Sequence, residues 1–292
     1  MRAYFKLTKN GIVCFVLLTA FLGFAMAVAN GKEWDASALS LLLVGLYLVS
    51  AGSFSWNQAQ EWQVDARMPR TQSRPIPRGT IRPWQAYILG TLMIVFGSFL
   101  LSLVQPLTAW LALATVVLYN GLYTLYWKKH WSFGAVPGAV PGAMPVVIGY
   151  SAMGGSIISP EVFYLFMIMF LWQMPHFWCL AIRYREDYAK GGLPVLPTQI
   201  GVERTLYHMG LYMFVYVGLA IAAPWFFTAN VFYVLLILPM AVKVMIEFLR
   251  YHRNKAEGQW LPFFMWINFS MLAFLAAPVM DRWLFVWLTK IA

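Results

Sequence analysis

Apolar residues run along this chain in long stretches, interrupted by short polar ones. Nine such stretches are read, at residues 10–29, 37–57, 84–104, 107–127, 136–156, 161–182, 206–226, 229–249 and 261–288. Each is about long enough to cross a ~30 Å hydrocarbon core as a helix. They are too long for barrel strands, and irregular backbone facing lipid is forbidden, so helices are the spanning element. The expected fold is all-α: a polytopic membrane protein of about nine transmembrane helices in one bundle, a single transmembrane domain over residues 1–292. The fifth stretch carries Pro137, Pro141 and Pro145 among several glycines. A kinked or broken helix is expected there.

Composition agrees with this pattern. The chain is 61% hydrophobic and 11% charged, where a soluble domain is about 25% charged. The net charge of +10 does not point to nucleic acid, because the basic residues sit in short loops between apolar runs. With the N-terminus placed in the cytoplasm, 17 of the 21 basic residues fall on the cytoplasmic side, as the positive-inside rule requires. Lys243 is inside a span. The first stretch follows Arg2, Lys6 and Lys9 and ends in small residues, like a secretory signal, but its length favours an uncleaved span. No Arg- and Ser-rich transit stretch precedes it, which points to a bacterial plasma membrane. Cys14 and Cys179 lie in apolar stretches and make no zinc pattern.

The same topology puts the two longest polar stretches, roughly 58–83 and 183–205, on one membrane face. In the first, Asn57, Glu61 and Asp65 are spaced by four, which lines them along one helix face. Two carboxylates and an amide oxygen suit Mg²⁺, which shares its shell with water and substrate phosphate. Arg67, Arg70 and Arg74 follow, and arginine forks suit phosphate oxygens. Together they read as a metal-bridged diphosphate site; the bland alternative is a solvated helix end with topology-marking arginines. In the second stretch Asp187 can face Asp65 and hold a second Mg²⁺, or pair, like Glu186, with Arg183, Arg185 or Lys190. Gln173 and His176 flank Pro175 inside an apolar stretch. They either satisfy the backbone freed by the proline or, for His176, serve as a ligand or acid–base group. Lys128 and Lys129 end the fourth stretch, as topology signals or as diphosphate contacts.

These residues carry a resemblance. Asn57-x3-Glu61-x3-Asp65-x2-Met68-x-Arg70-Thr71-x2-Arg74-Pro75 resembles the first motif of the UbiA-type intramembrane prenyltransferases. Its Arg-Thr-x2-Arg-Pro ending, and the block Trp172-Gln173-Met174-Pro175-His176-Phe177 followed by Asp187-Tyr188 and Pro194-Val-Leu-Pro197, are similar to the heme-farnesylating branch of that family. Tyr123-Thr-Leu with Lys128-Lys129, and Pro141-Gly-Ala-Met-Pro145 with Ile148-Gly149, resemble a third block, so the similarity covers nearly the whole chain. Two positions depart from the pattern: Glu61 stands where many relatives have Asp, and Arg183 where the broader family has the first acid of its second motif.

The resemblance implies a helical bundle around a central cavity open laterally to lipid. It implies Mg²⁺-dependent transfer of a farnesyl group from farnesyl diphosphate to a vinyl group of heme b, giving heme O for a downstream heme-modifying enzyme or terminal oxidase. Asn57, Glu61 and Asp65 would hold the first Mg²⁺–diphosphate and Asp187 the second. Arg67, Arg70, Arg74, Lys128 and Lys129 would be diphosphate contacts, with Gln173 and His176 on the heme side. Two rivals are a sibling that prenylates a quinone-precursor aromatic and a non-catalytic heme or lipid transporter. The second would place charge at the membrane midplane rather than at one face.

Overall fold

The computed structural model describes residues 2–291, with side chains for residues 3–286. The side chains of Arg2 and Lys290, which enter the charge reading, and residues Met1 and Ala292 lie outside the described residues. The chain folds as α1 (Arg2–Leu7), α2 (Asn10–Ala29), α3 (Ala36–Arg67), α4 (Pro83–Val104), α5 (Pro106–Val116) continuing as a π-helix (Val117–Trp127) into α6 (Lys128–His130), α7 (Ala135–Ser151), α8 (Pro160–Arg183), α9 (Arg185–Lys190), α10 (Leu196–Gln199), α11 (Gly201–Ile221), α12 (Val231–Arg253) and α13 (Trp260–Ile291). Each of the nine expected stretches falls on one of these rods. Among the described residues, seven helices are long and apolar enough to cross a membrane, and α7 is a shorter apolar helix. Nine is therefore an approximate count of a multi-pass helical bundle.

Three boundaries differ from expectation in ways that bear on the site. The second stretch is not finished at residue 57; α3 runs on to Arg67. At 32 residues it is about 48 Å long, longer than the hydrocarbon core, so its last turns carry Glu61 and Asp65 to the membrane face. Asp187, expected in a loop, sits on the short helix α9. The fifth stretch is not broken: α7 is continuous from Ala135 to Ser151, with Pro141 and Pro145 inside it. Pro137, Pro141 and Pro145 recur every fourth position, so the missing N–H groups fall along one stripe and the other faces keep their ladder.

Packing at the smallest residues sets how close the rods come. Gly45 lies against Gly97 and Gly52 against Gly90, so α3 and α4 run antiparallel in near backbone contact. Gly23 meets the Val146 carbonyl and Gly149 meets the backbone of Ala20, which locks α2 onto α7. Without an oil–water difference between helices in lipid, such close van der Waals approach is a main source of association. Other buried charges are consumed locally. Asp281 of α13 accepts from Asn230 N (2.9 Å) and Tyr233 N (3.1 Å), capping α12 from outside. Lys243 pairs with Glu247 at 2.5 Å and lies over the Trp266 ring.

A side chain at Gly149 has no room. Gly149→Val should destabilise the protein by about 1–3 kcal/mol, the usual cost of overpacking, read as a lower thermal midpoint in detergent. Gly218→Val, where a Cβ meets nothing within 4 Å, should leave that midpoint within a degree or so of wild type on the scale typical of neutral exposed changes.

Candidate active site

Near the C-terminal end of α3, Asn57, Glu61 and Asp65 lie one helical turn apart and line a single central cavity of about 440 Å³. All three are buried, with Glu61 4% and Asp65 1% exposed. Buried carboxylates need matched charge, and each oxygen group here meets a different cation. Lys9 donates to Asn57 Oδ1 at 2.7 Å, Lys128 to Glu61 Oε1 at 2.6 Å, and Arg74 to Asp65 Oδ2 at 2.6 Å. The three cations come from three places: the break between α1 and α2, the far end of the π-helix, and the turn after α3.

The π-helix decides the second pairing. Tyr119 and Lys128 are nine residues apart. In an α-helix that is two and a half turns, which puts them on opposite faces. With i→i+5 winding of roughly four to five residues per turn it is close to two full turns, and both side chains line the cavity. The segment is tied to α3 by a ladder: Ser53 to Asn120 at 2.6 Å, Asn57 to Thr124 at 3.1 Å and Glu61 to Lys128 at 2.6 Å, every pair separated by 67 positions. A constant offset means that the two helices run parallel. Gln60 extends the ladder sideways, donating to the Asn120 carbonyl at 3.2 Å.

Lys9 was read from sequence only as a topology signal. Its backbone is in the left-handed region at φ 50°, a conformation unusual for a non-glycine residue, and it turns the chain so that the side chain enters the cavity. Burial pushes its ammonium down to about 7, reinforced by Arg74 and Lys128 and opposed by Glu61 and Asp65. Below the acid end, Phe54, Tyr119 and Tyr123 form an aromatic wall, with Phe54–Tyr119 centroids at 5.7 Å and Tyr119–Tyr123 at 5.8 Å. Phe54, Tyr119 and Asn120 were also missed, and Tyr123 was noted only as part of a motif block. The available signal was the spacing of four shared by polar residues 53, 57 and 61 and by 120, 124 and 128 within apolar spans.

The remaining sequence candidates sort by place. Arg70 and Arg74 line the cavity, with Arg70 stacked near the rings of Tyr184 (5.1 Å) and Tyr188 (5.9 Å). Arg67 is exposed at the end of α3, and neither it nor Lys129 lines the cavity. Asp187 is at the rim, where its Oδ2 accepts from Arg70 N at 3.3 Å. Neither Asp187 nor Glu186 forms an ion pair among the described residues. Gln173 donates to Ala139 O and Met169 O, both at 3.0 Å, so it stitches α7 to α8 and does not cover the Leu171 carbonyl that Pro175 leaves free. His176 faces the cavity wall between the Trp172 ring (4.5 Å) and the Phe264 ring (4.9 Å).

The donor set fits Mg²⁺. Hard oxygens recur on one face, and among the described residues no cluster of three His, Cys, Asp or Glu forms a closed cage. That is the incomplete shell Mg²⁺ takes when water and phosphate supply the rest. Four cationic side chains against two carboxylates leave the pocket positive, as a polyanion site requires.

Comparison with known proteins agrees in fold and in extent. A model of the UbiA prenyltransferase family matches residues 16–269. The chain is 48% identical over 288 residues to the protoheme IX farnesyltransferase of Bdellovibrio bacteriovorus, spanning 99% of each. It is 37% identical over 226 residues to that of Photobacterium profundum, spanning 77% of this chain and 70% of the relative. Among solved structures, one of digeranylgeranylglyceryl phosphate synthase superposes with a TM-score of 0.79 at 17% identity, covering 96% of this chain and 98% of that one. A UbiA homologue from Archaeoglobus fulgidus bound to GPP and Mg²⁺ gives 0.69 at 16% identity, covering 94% and 99%. At such identities the structural likeness establishes the fold.

Deleting Leu122, whose side chain is 43% exposed, shortens the π-helix by one residue and turns Lys128 by roughly 80°. Magnesium pyrophosphate binding, measured by calorimetry, should then fall by roughly tenfold or more, as in Lys128→Ala, with helix content unchanged. Full affinity in the deletion variant would show that winding does not position Lys128.

Proposed function

This chain belongs to the UbiA prenyltransferase family, and from that premise we propose that it transfers a farnesyl group from farnesyl diphosphate to a vinyl group of heme b, making heme O. The observation that carries the reading is the cavity itself: a buried acid-and-cation end continuous with an aromatic, apolar interior. The first part suits a diphosphate and the second an isoprenoid chain. Heme as the acceptor is supported by the relatives that span the chain, which are protoheme IX farnesyltransferases. His176 and Trp172 on the cavity wall are the candidates for the heme side.

Asn57, Glu61 and Asp65 would hold Mg²⁺, with Asp187 the candidate for a second ion, and the bound metal would supply positive charge against the leaving diphosphate. Lys9, Lys128 and Arg74 exchange their contacts with Asn57, Glu61 and Asp65 for phosphate oxygens, and Arg70 closes the rim. The C1–O bond of farnesyl diphosphate breaks and diphosphate leaves with the electron pair. The faces of Phe54, Tyr119 and Tyr123 stabilise the allylic cation and exclude water from it. The terminal vinyl carbon bonds to C1. Water then captures the cation on the macrocycle side and loses a proton, leaving a hydroxyethyl group.

The protein is a multi-pass membrane protein. We place it as one transmembrane unit in a bacterial plasma membrane, with the N-terminus and the acid end cytoplasmic, on the basic-residue bias. Its product would pass to a further heme-modifying enzyme or a terminal oxidase.

Purified protein in lipid nanodiscs, given heme b and labelled farnesyl diphosphate with Mg²⁺, should form labelled heme O. Asp65→Asn should lower the rate by at least about a hundredfold while retaining heme binding. Unchanged heme O formation in Asp65→Asn would remove the catalytic assignment. Prenylation of an aromatic acid in place of heme would favour the quinone-precursor sibling.

A further inference from the structure

Lys9 reaches Asn57 from a backbone conformation that a lysine rarely adopts. At φ 50° and ψ 47° it sits in the left-handed region, which persists at a non-glycine residue only where the surroundings over-determine it. Its carbonyl starts α2, accepting from Ile12 N at 2.8 Å and Val13 N at 3.2 Å. One end of the turn is therefore held by α2. The other end is the C-terminus of α1. At 6 residues, α1 is far too short to be stable by itself, so contacts from outside must fix where it stops.

The last four carbonyls of a helix have no partner within it. In α1 these belong to Tyr4, Phe5, Lys6 and Leu7. Thr8 N donates to Tyr4 O at 3.1 Å. Thr8 Oγ1 lies 3.2 Å from Phe5 O and 2.9 Å from Asn10 Oδ1. Tyr47 already donates to that amide oxygen at 3.0 Å, so the Thr8 proton is free for Phe5. The carbonyls of Lys6 and Leu7 are both taken by Gln58 of α3, whose Nε2 donates to them at 2.8 and 2.7 Å. Gln58 is buried, and Leu7 packs with Ala59, Ile76, Ile81 and Ala86. The amide keeps its NH₂ toward the two carbonyls although its own Oε1 is left buried without a partner, an arrangement that is costly elsewhere in a protein.

Gln58 follows Asn57 on α3, so the two side chains leave the helix about 100° apart. Asn57 receives the Lys9 ammonium at 2.7 Å, and Gln58 grips the backbone just before Lys9. One turn of α3 thus fixes both the base and the tip of the same lysine. Building on the diphosphate substrate of the proposed function, we propose that Gln58 is a positioning residue for the diphosphate site. By capping α1 it holds the left-handed turn at Lys9 and aims the ammonium at the phosphate oxygens. The α1 segment is then a strap that completes the site from the N-terminal side of α2.

Gln58→Met keeps the length of the side chain and removes both donors. In nanodiscs its affinity for magnesium pyrophosphate, measured by calorimetry, should fall about tenfold, as in Lys9→Ala. KM for farnesyl diphosphate should rise in step, while KM for heme b stays at the wild-type value. Gln58→Met combined with Lys9→Ala should bind pyrophosphate no more weakly than Lys9→Ala alone, because a residue that acts through Lys9 then has nothing left to position. Gln58→His, which keeps one ring N–H donor, should recover part of the affinity. Wild-type pyrophosphate affinity in Gln58→Met overturns the proposal. Additive losses in the double variant overturn it too, because Gln58 would then act independently of Lys9. So does an equal loss of heme and pyrophosphate affinity, which would make Gln58 a general contact of the fold. Should Gln58→Met fail to fold, Thr8→Val carries the test, because it loosens the same cap without touching α3, and wild-type pyrophosphate affinity there overturns the proposal. A wild-type protein that does not bind magnesium pyrophosphate overturns the proposed function instead, so the two failures are distinct.

Discussion

Two carboxylates buried at the end of a membrane helix are the constraint around which the rest of this molecule is arranged. Glu61 and Asp65 are almost fully enclosed, and removing the partner of a buried ion costs about 3–5 kcal/mol, a large share of the net stability of a typical fold. Each therefore needs its own cation. The chain supplies them from separate segments, Lys128 from the π-helix and Arg74 from the turn after α3, while Lys9 comes from before α2 to the amide of Asn57. Satisfying that set requires α2, α3 and the α5–π–α6 rod to meet at one end. The same pairing gathers at one end of the cavity the cations that, in the proposed function, bind the diphosphate.

Backbone geometry makes this meeting possible. Glycines at facing positions bring α3 against α4 and α2 against α7, so that side chains near the cavity reach across short gaps. The π-winding of residues 117–127 then turns Lys128 onto the face that already presents Tyr119 and Tyr123. A π-helix is rare and, where it occurs, is frequently at a functional site. Here its cost is offset by the polar ladder of Ser53, Asn57, Gln60, Asn120 and Thr124, whose groups would otherwise be unsatisfied in a bilayer.

A polar end and an aromatic interior divide the chemistry. In the proposed function the charged groups bind and activate the leaving group, and the wall of Phe54, Tyr119 and Tyr123 faces the region where positive charge would develop. Both substrates of the proposed reaction are largely apolar, which suits a cavity whose interior is lined by apolar and aromatic side chains.

Hydropathy and helical period are local properties, and what they specify could be read directly. Asn57, Glu61 and Asp65 at intervals of four had to share a helix face, the arginines had to follow them, and long apolar runs had to be membrane helices. Proline spacing misled at α7, because a stripe of missing donors does not break a helix supported on its other faces. Lys9 and Tyr119 carried no comparable local pattern of their own, and Asn120 showed only the spacing of four that it shares with Thr124 and Lys128. The selection among the basic residues was equally hidden: Arg74 and Lys128 pair with acids, Arg70 stacks at the rim, and Arg67 and Lys129 point elsewhere. Long cationic side chains sweep a wide volume, so their partners depend on how helices dock and wind. The sequence alone thus determined the class of fold and the shared helix face of Asn57, Glu61 and Asp65. Only the tertiary structure decided which cation meets which oxygen, because that depends on interhelical distance and twist summed over segments far apart in the chain.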